Sequence, residues 1–149
     1  MGDLLGADLM VLPNLVAYDA AQVDLTQRTP SVRGLENLLD LGVITGRDNL
    51  AQALILRLLT PLGSLASLGH AEYGSQLHKL IGRRKSEALR NLCRAYVLEV
   101  VAQEPRVEDT AVSLDFDVPS ETSSSFVFTL VVQPRSGDAP VGLSLGVAI

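Results

Sequence analysis

The segment Asn49–Leu59, NLAQALILRLL, constrains the fold more than any other part of this 149-residue chain. Between Leu50 and Leu59 only Gln52 and Arg57 are polar, and the apolar side chains point in every direction around a helix. A helix that is apolar all round is buried on all sides. Because a domain of this length can seldom enclose a helix so completely, we expect part of its surface to face another subunit.

The predicted helix runs from Gly46 to Thr60, and Thr45 or Asp48 can cap its N-terminus. Arg57 lies on its apolar surface, where a guanidinium must reach solvent, meet an internal carboxylate or contact a partner protein. The sequence leaves these three alternatives open.

A glycine-rich connector, Pro61–Gly82, follows this helix. Its glycines permit tight turns with positive φ, and Tyr73-Gly74-Ser75 indicates a turn with an aromatic anchor. It lacks the Gly-Lys-Ser/Thr ending of a phosphate-binding loop.

A second helix is predicted from Ser86 to Gln103, where apolar residues recur at three- and four-residue spacing. Pro105 ends it, since its ring disfavours helical geometry for the residue before it. The side opposite the apolar stripe carries Glu87, Arg90, Asn91 and Arg94.

The last third of the chain alternates apolar and polar residues and predicts antiparallel strands over residues 107–118, 126–132 and 141–149. The last strand has no charged side chain, whereas natural edge strands normally carry a lysine, a proline or a bulge that prevents unwanted pairing. It is therefore either central in its sheet, covered inside its own domain by a segment such as the N-terminal arm, or available to pair with another chain. Its candidate partner-binding residues are Val141, Leu143, Leu145, Val147 and Ile149.

Residues 1–45 are predicted to form a partly extended N-terminal arm, with a short strand near Leu9–Leu12 and a brief helix ending near Gly42. Residues 46–149 form the domain. The predicted fold class is α+β, with two principal helices packed on a small, mainly antiparallel C-terminal β-sheet.

Composition limits the classes of function. Hydrophobic residues make up 47% and charged residues 19%, and such an apolar surface usually has a partner to cover it. The net charge of −5 argues against nucleic-acid binding, and we interpret the basic run Arg83-Arg84-Lys85 as a solvated connector. No apolar run approaches the ~20 residues of a membrane span, and the N-terminus is not a secretory signal, so we expect synthesis in the cytoplasm.

No residue pattern predicts catalysis, a metal site or a cofactor. The single cysteine, Cys93, lies on an apolar helical stripe and is interpreted as a core residue. His70, Glu72 and His78 could ligate a metal, but without further His or Cys residues nearby they are interpreted as ordinary turn residues.

The order of these pieces resembles a known family over residues 40–118. An apolar helix, the connector LGHAEYGSQLHKLIG, an amphipathic helix and the corner Glu104-Pro105-Arg106 resemble the baseplate wedge family of contractile phage tails, extracellular injection particles and type VI secretion systems. Some members of that family carry a lysozyme-like label.

The resemblance implies a structural protein and not an enzyme. It implies that Glu104, Pro105 and Arg106 contact the helical core bundle of the baseplate wedge, and that the terminal strand pairs with the sheath protein. The partners it implies are wedge and sheath proteins, with inner tube or hub proteins as further candidates, in a sixfold assembly that ends as part of an injection particle.

Two alternatives come from other classes. A regulatory adaptor unrelated to contractile machines would also explain the apolar surface and the unguarded strand. A peptidoglycan hydrolase would need two carboxyl groups flanking a cleft, and no motif in the sequence pairs such groups.

Overall fold

The computed structural model describes residues 5–11, 27–28 and 40–149, and in them the predicted α+β fold is confirmed. Two α-helices pack against a C-terminal three-stranded sheet, and two short two-stranded sheets lie at the N-terminal side. The elements are β1 (Ala7–Leu9), β2 (Gln27–Arg28), β3 (Asp40–Leu41), β4 (Val43–Thr45), α1 (Gly46–Leu59), α2 (Glu87–Ala102), β5 (Val107–Phe116), β6 (Ser125–Pro134) and β7 (Val141–Ala148).

The C-terminal sheet is antiparallel throughout, in the order β5-β6-β7. Alternate residues of β6 and β7 are buried, which confirms the period-2 pattern of the sequence. Among the described residues β7 pairs only with β6, so it lies at the edge of this sheet and its interpretation as a central strand is not borne out there.

Helix α1 is largely buried within its own chain, between the sheet and the N-terminal segment. Thr45 precedes it as an N-cap residue, but its side chain makes no capping hydrogen bond. The helix ends at Leu59 because Thr60, which precedes Pro61, adopts an extended conformation. Its buried residues are Asn49, Leu50, Ala51, Gln52, Leu54, Ile55 and Leu58.

The turn Tyr73-Gly74-Ser75 folds the connector back onto the end of α1, as predicted. Ser75 donates its hydroxyl proton to the Leu58 carbonyl at 2.6 Å and its N–H to the Thr60 carbonyl at 2.8 Å. Gly74 has a φ of 117°, and a Cβ there would lie 2.5 Å from the Thr60 oxygen. Only glycine permits this approach of the two segments.

Helix α2 begins after Ser86, whose hydroxyl accepts the Leu89 N–H at 3.1 Å, and buries the predicted apolar stripe. Its predicted polar side is not simply solvated. The Arg90 guanidinium lies 4.9 Å from the Phe116 and Phe126 ring centroids, and that of Arg94 lies 5.2 Å from the Phe116 centroid. Both arginines therefore cover the edge of the core.

The N-terminal arm differs from its prediction where it is described. The first strand lies at Ala7–Leu9, and Leu5 and Met10 are buried. Residues 40–41 pair as a strand with residues 27–28, so the predicted helix does not extend to Gly42. The rest of that predicted helix lies outside the described residues.

Candidate functional site

The corner Glu104-Pro105-Arg106 is an internal ion pair. Arg106 binds the Glu104 carboxylate through Nε at 2.7 Å and through Nη2 at 3.1 Å, and its backbone N–H lies 3.3 Å from the same carboxylate. Only 6% of the Glu104 side chain is exposed, against 27% for Arg106. Burial opposes ionisation of Glu104, but the hydrogen bonds and charge of Arg106 outweigh it, so its pKa lies below the ordinary value.

The same corner holds the N-terminal segment. Arg106 donates through Nη1 to the Leu5 carbonyl at 3.1 Å, and Asn49 donates to that carbonyl at 2.9 Å. Gln52, which is 1% exposed, donates to the Leu9 carbonyl at 2.8 Å and accepts the Val11 N–H at 2.9 Å. The polar residues within the apolar helix thus bind the backbone of residues 5–11.

Arg57 contacts an aromatic ring. Its guanidinium lies 4.8 Å from the centroid of the Tyr73 ring. Burial raises the pKa of the Tyr73 hydroxyl, and the charge of Arg57 acts in the opposite sense. Among the described residues no carboxylate forms an ion pair with Arg57, so a cation–π contact replaces the internal pair considered above.

The free edge of β7 is defined by its register with β6. The Ile149 N–H donates to the Ser124 carbonyl at 2.9 Å, and the register pairs Val147 with Phe126 and Leu145 with Phe128. Backbone groups alternate in direction along an antiparallel strand, so every second residue from Ile149 back to Val141 is bonded to β6. The N–H and C=O groups on the opposite edge belong to Gly142, Ser144, Gly146 and Ala148.

This register changes which residues a partner strand would meet. The side chains of Val141, Leu143, Leu145 and Val147 are buried in the core, and only Ile149 is half-buried. Pairing would use the backbone of the small residues between them. In the described part of the chain no strand other than β6 pairs with β7.

An apolar groove of about 630 Å³ lies beside the C-terminal half of β7. Its floor includes Leu58, Leu145 and Val147, and Ile81 at its side is 64% exposed. Because the buried Leu145 and Val147 line it, the groove lies on the core side of β7. Leu59, Leu77, His78, Thr122 and Ser125 also line it.

A buried carboxylate fixes the loop that forms one wall of this groove. Arg90 binds both Glu121 oxygens, at 2.6 and 2.9 Å, and Lys85 lies 2.8 Å from one of them. The hydrogen bond from Arg90, helped by Lys85, lowers the pKa of Glu121 to about 2. Lys85 also donates to the Thr122 and Ser125 carbonyls, at 2.7 and 3.0 Å.

Sequence reasoning did not predict this cluster. Its members are separated by 31 residues or more in the chain, except for Lys85 and Arg90, and no local spacing connects them. The one sequence feature that pointed toward this cluster was the position of Arg90 on an amphipathic helix.

The remaining candidates for chemistry were Cys93 and the connector residues His70, Glu72 and His78, of which His78 lies 3.2 Å through Nδ1 from the Ser75 carbonyl. Burial raises the pKa of the Cys93 thiol to about 12, which leaves it unreactive at neutral pH. No group of three or more His, Cys, Asp or Glu residues that could hold a metal occurs within residues 5–11, 27–28 and 40–149. In the same ranges no helix has the length and apolar character of a membrane span.

The chain shares its fold with a solved tail protein. That protein, from Geobacter sulfurreducens, carries the provisional name of tail lysozyme. The match has a TM-score of 0.58 and covers 68% of this chain and 89% of that one, at 16% sequence identity. At this identity the likeness establishes the fold. No family model matches the sequence, and no curated protein matches it.

Proposed function

We propose that this chain is a structural, non-enzymatic baseplate component of a contractile injection machine. It links the baseplate wedge to the first sheath ring, and β7 accepts a strand of the sheath protein. Assembly takes place in the cytoplasm, and the chain then remains in the particle as part of a sixfold hetero-oligomer. The resemblance of residues 40–118 and the fold shared with a tail-named protein support this function.

The observation that carries the proposal is the free edge of β7. An exposed edge without charge, proline or bulge is a template for strand addition. Gly142, Ser144, Gly146 and Ala148 present its hydrogen-bonding groups, and the apolar groove would receive side chains of the added strand. An exposed apolar groove next to a free strand edge matches what a β-augmented interface requires.

At the corner, the buried Glu104 is already paired within the chain. The proposed contact with the wedge core bundle therefore uses the exposed Pro105 and the accessible part of Arg106. The ion pair supports this contact by keeping both groups in fixed directions.

The carboxyl groups support a non-enzymatic role. Glycoside hydrolysis requires a general acid whose pKa is raised. Cationic partners lower the pKa of both Glu104 and Glu121. Each is held as a carboxylate in an ion pair and is not available as an acid near neutral pH.

The proposal is tested by co-purification from the native gene cluster with an N-terminal tag on this chain. The tagged chain should recover wedge and sheath proteins. Gly146→Pro removes one outward N–H but leaves the hydrogen bonds between β6 and β7 intact. The variant should therefore fail to recover the sheath protein and still recover the wedge proteins. Gly146→Ala is the matched control, since an added Cβ there meets nothing within 4 Å, and it should recover both partners.

The outcomes separate the competing functions. Failure of the unmodified chain to recover either protein would favour an unrelated adaptor. Sheath recovery by Gly146→Pro at the level of Gly146→Ala would reject β7 as the docking edge. Clearing of cell-wall substrate by the purified chain would overturn the non-enzymatic assignment.

A further inference from the structure

The segment Tyr73–Ser86, which lies beside the groove, is the most cationic part of an acidic chain. From Tyr73 to Ser86 there are four cationic side chains and no carboxylate, whereas the whole chain has a net charge of −5. Lys85 is paired with Glu121. Arg83 and Arg84 are exposed, and neither has an ion-pair partner among the described residues.

These two arginines lie next to the groove. Ile81 lines it, and Arg83 follows two residues later, so their Cα atoms are at most about 7 Å apart. Arg83 and Arg84 also border a hollow of about 500 Å³ at the start of α2. Both arginines therefore lie within three residues of a residue that lines the groove.

We infer that the segment docking on β7 is an extended strand whose apolar residues fill the groove and whose flank is acidic. This inference rests on the proposed function and adds the chemistry of the partner segment. Arginine binds carboxylates through two parallel hydrogen bonds, so Arg83 and Arg84 are matched to a flank of Asp or Glu.

Charge complementarity selects this occupant over others. The chain as a whole has a net charge of −5, whereas residues 73–86 carry four cationic side chains and no carboxylate, so this segment attracts an acidic flank. The attraction fixes where the flank lies and hence the position of the strand along β7. The Glu121 cluster holds the opposite wall of the groove in place, through Lys85 and the carbonyls of Thr122 and Ser125.

The test measures peptide binding to the full chain by fluorescence anisotropy. Three peptides share a nine-residue core of alternating valine and threonine, with two Glu, two Gln or two Lys at each end. The Glu peptide should bind about fivefold more tightly than the Gln peptide at low salt, and the Lys peptide more weakly than either. The advantage should shrink as salt is raised.

Variants of the chain separate the inference from the proposed function. Arg83→Gln with Arg84→Gln should abolish the advantage of the Glu peptide without changing binding of the Gln peptide. Arg83→Lys with Arg84→Lys keeps the charge and should retain part of the advantage. Gly146→Pro should weaken binding of all three peptides.

Several results would overturn the inference. If the three peptides bind equally, or if the Glu advantage survives the double glutamine variant, the acidic flank is wrong while β7 can still be the docking edge. If Gly146→Pro leaves the binding of all three peptides unchanged, binding does not involve strand addition. If no peptide binds, or if Ile81→Asp dissolves a dimer of the chain, a strand of this kind is not the occupant.

Discussion

The corner Glu104-Pro105-Arg106 and the edge of β7 are both candidate contact sites. They differ in whether their hydrogen-bonding groups already have partners within the described part of the chain. At the corner, the Glu104 carboxylate is bound to the Arg106 guanidinium, which also donates a hydrogen bond to the Leu5 carbonyl. At the edge, the outward backbone groups from Gly142 to Ala148 have no partner strand in the described residues. The difference teaches that the polar groups of the corner are used within the fold, whereas those of the edge stay exposed in the described part of the chain.

The largest effect on folding is expected at the corner. Glu104→Gln leaves Arg106 without its counter-charge and should lower the free energy of unfolding by about 3 kcal/mol. Glu104→Gln combined with Arg106→Met removes both charges and should cost less than the single change. Urea unfolding measures both variants, and a double variant less stable than the single one would contradict the internal-pair interpretation.

A smaller effect is expected at the Glu121 cluster. Glu121→Gln removes the negative charge that Arg90 and Lys85 bind, and should cost about 2 kcal/mol in urea unfolding. Because the cluster fixes a wall of the groove, the variant should also weaken partner binding. If Glu121→Gln leaves the free energy of unfolding unchanged, the cluster does not stabilise the fold.

The same cluster predicts a pH dependence. The pKa of Glu121 falls from 4.5 to about 2 on folding, so its stabilising contribution is complete above about pH 4.5 and is lost as the pH falls toward 2. The unmodified chain should lose more stability over this window than Glu121→Gln does. Glu104 acts in the same direction, and the paired comparison cancels its contribution.

The smallest effect on folding is expected in the groove. Ile81→Asp changes an exposed side chain and should alter the free energy of unfolding by less than about 0.5 kcal/mol, but it should abolish recovery of the sheath protein. Leu68→Asp is the control, because Leu68 is 70% exposed and lies outside the groove lining. Equal recovery by both variants would remove the groove from the docking site.

The regular elements were predictable because their signals are local. The period-3.6 stripe of α2, the alternation in β6 and β7 and the prolines that end both helices depend on neighbours within a few residues. The position of β7 at the sheet edge was not predictable, because alternation reports which face is buried and not how many neighbouring strands a strand has. The brief helix predicted near Gly42 failed where residues 40–41 pair with residues 27–28.

The candidate site was predicted in part. The unguarded strand was identified from its lack of charged residues. The backbone groups that would pair with a partner strand, however, lie one residue away from the apolar positions predicted as partner-binding. The register with β6 decides the direction of each N–H, and the sequence does not show that register. Glu104 and Arg106 were identified together, but nothing in their spacing indicated that Arg106 binds the Leu5 carbonyl, 101 residues away. Their contact with a wedge protein stays a prediction.

The sequence by itself determined which segments are helix and strand and which strand lacks protection, since these depend on local backbone preferences and on side-chain polarity. Only the tertiary structure decided that Glu104 and Arg106 are satisfied internally, that Glu121 is clamped by Lys85 and Arg90, and that Gly142, Ser144, Gly146 and Ala148 face outward. The physical reason is that hydrogen bonds and ion pairs depend on distances of about 3 Å between atoms, and folding sets those distances between residues far apart in the chain.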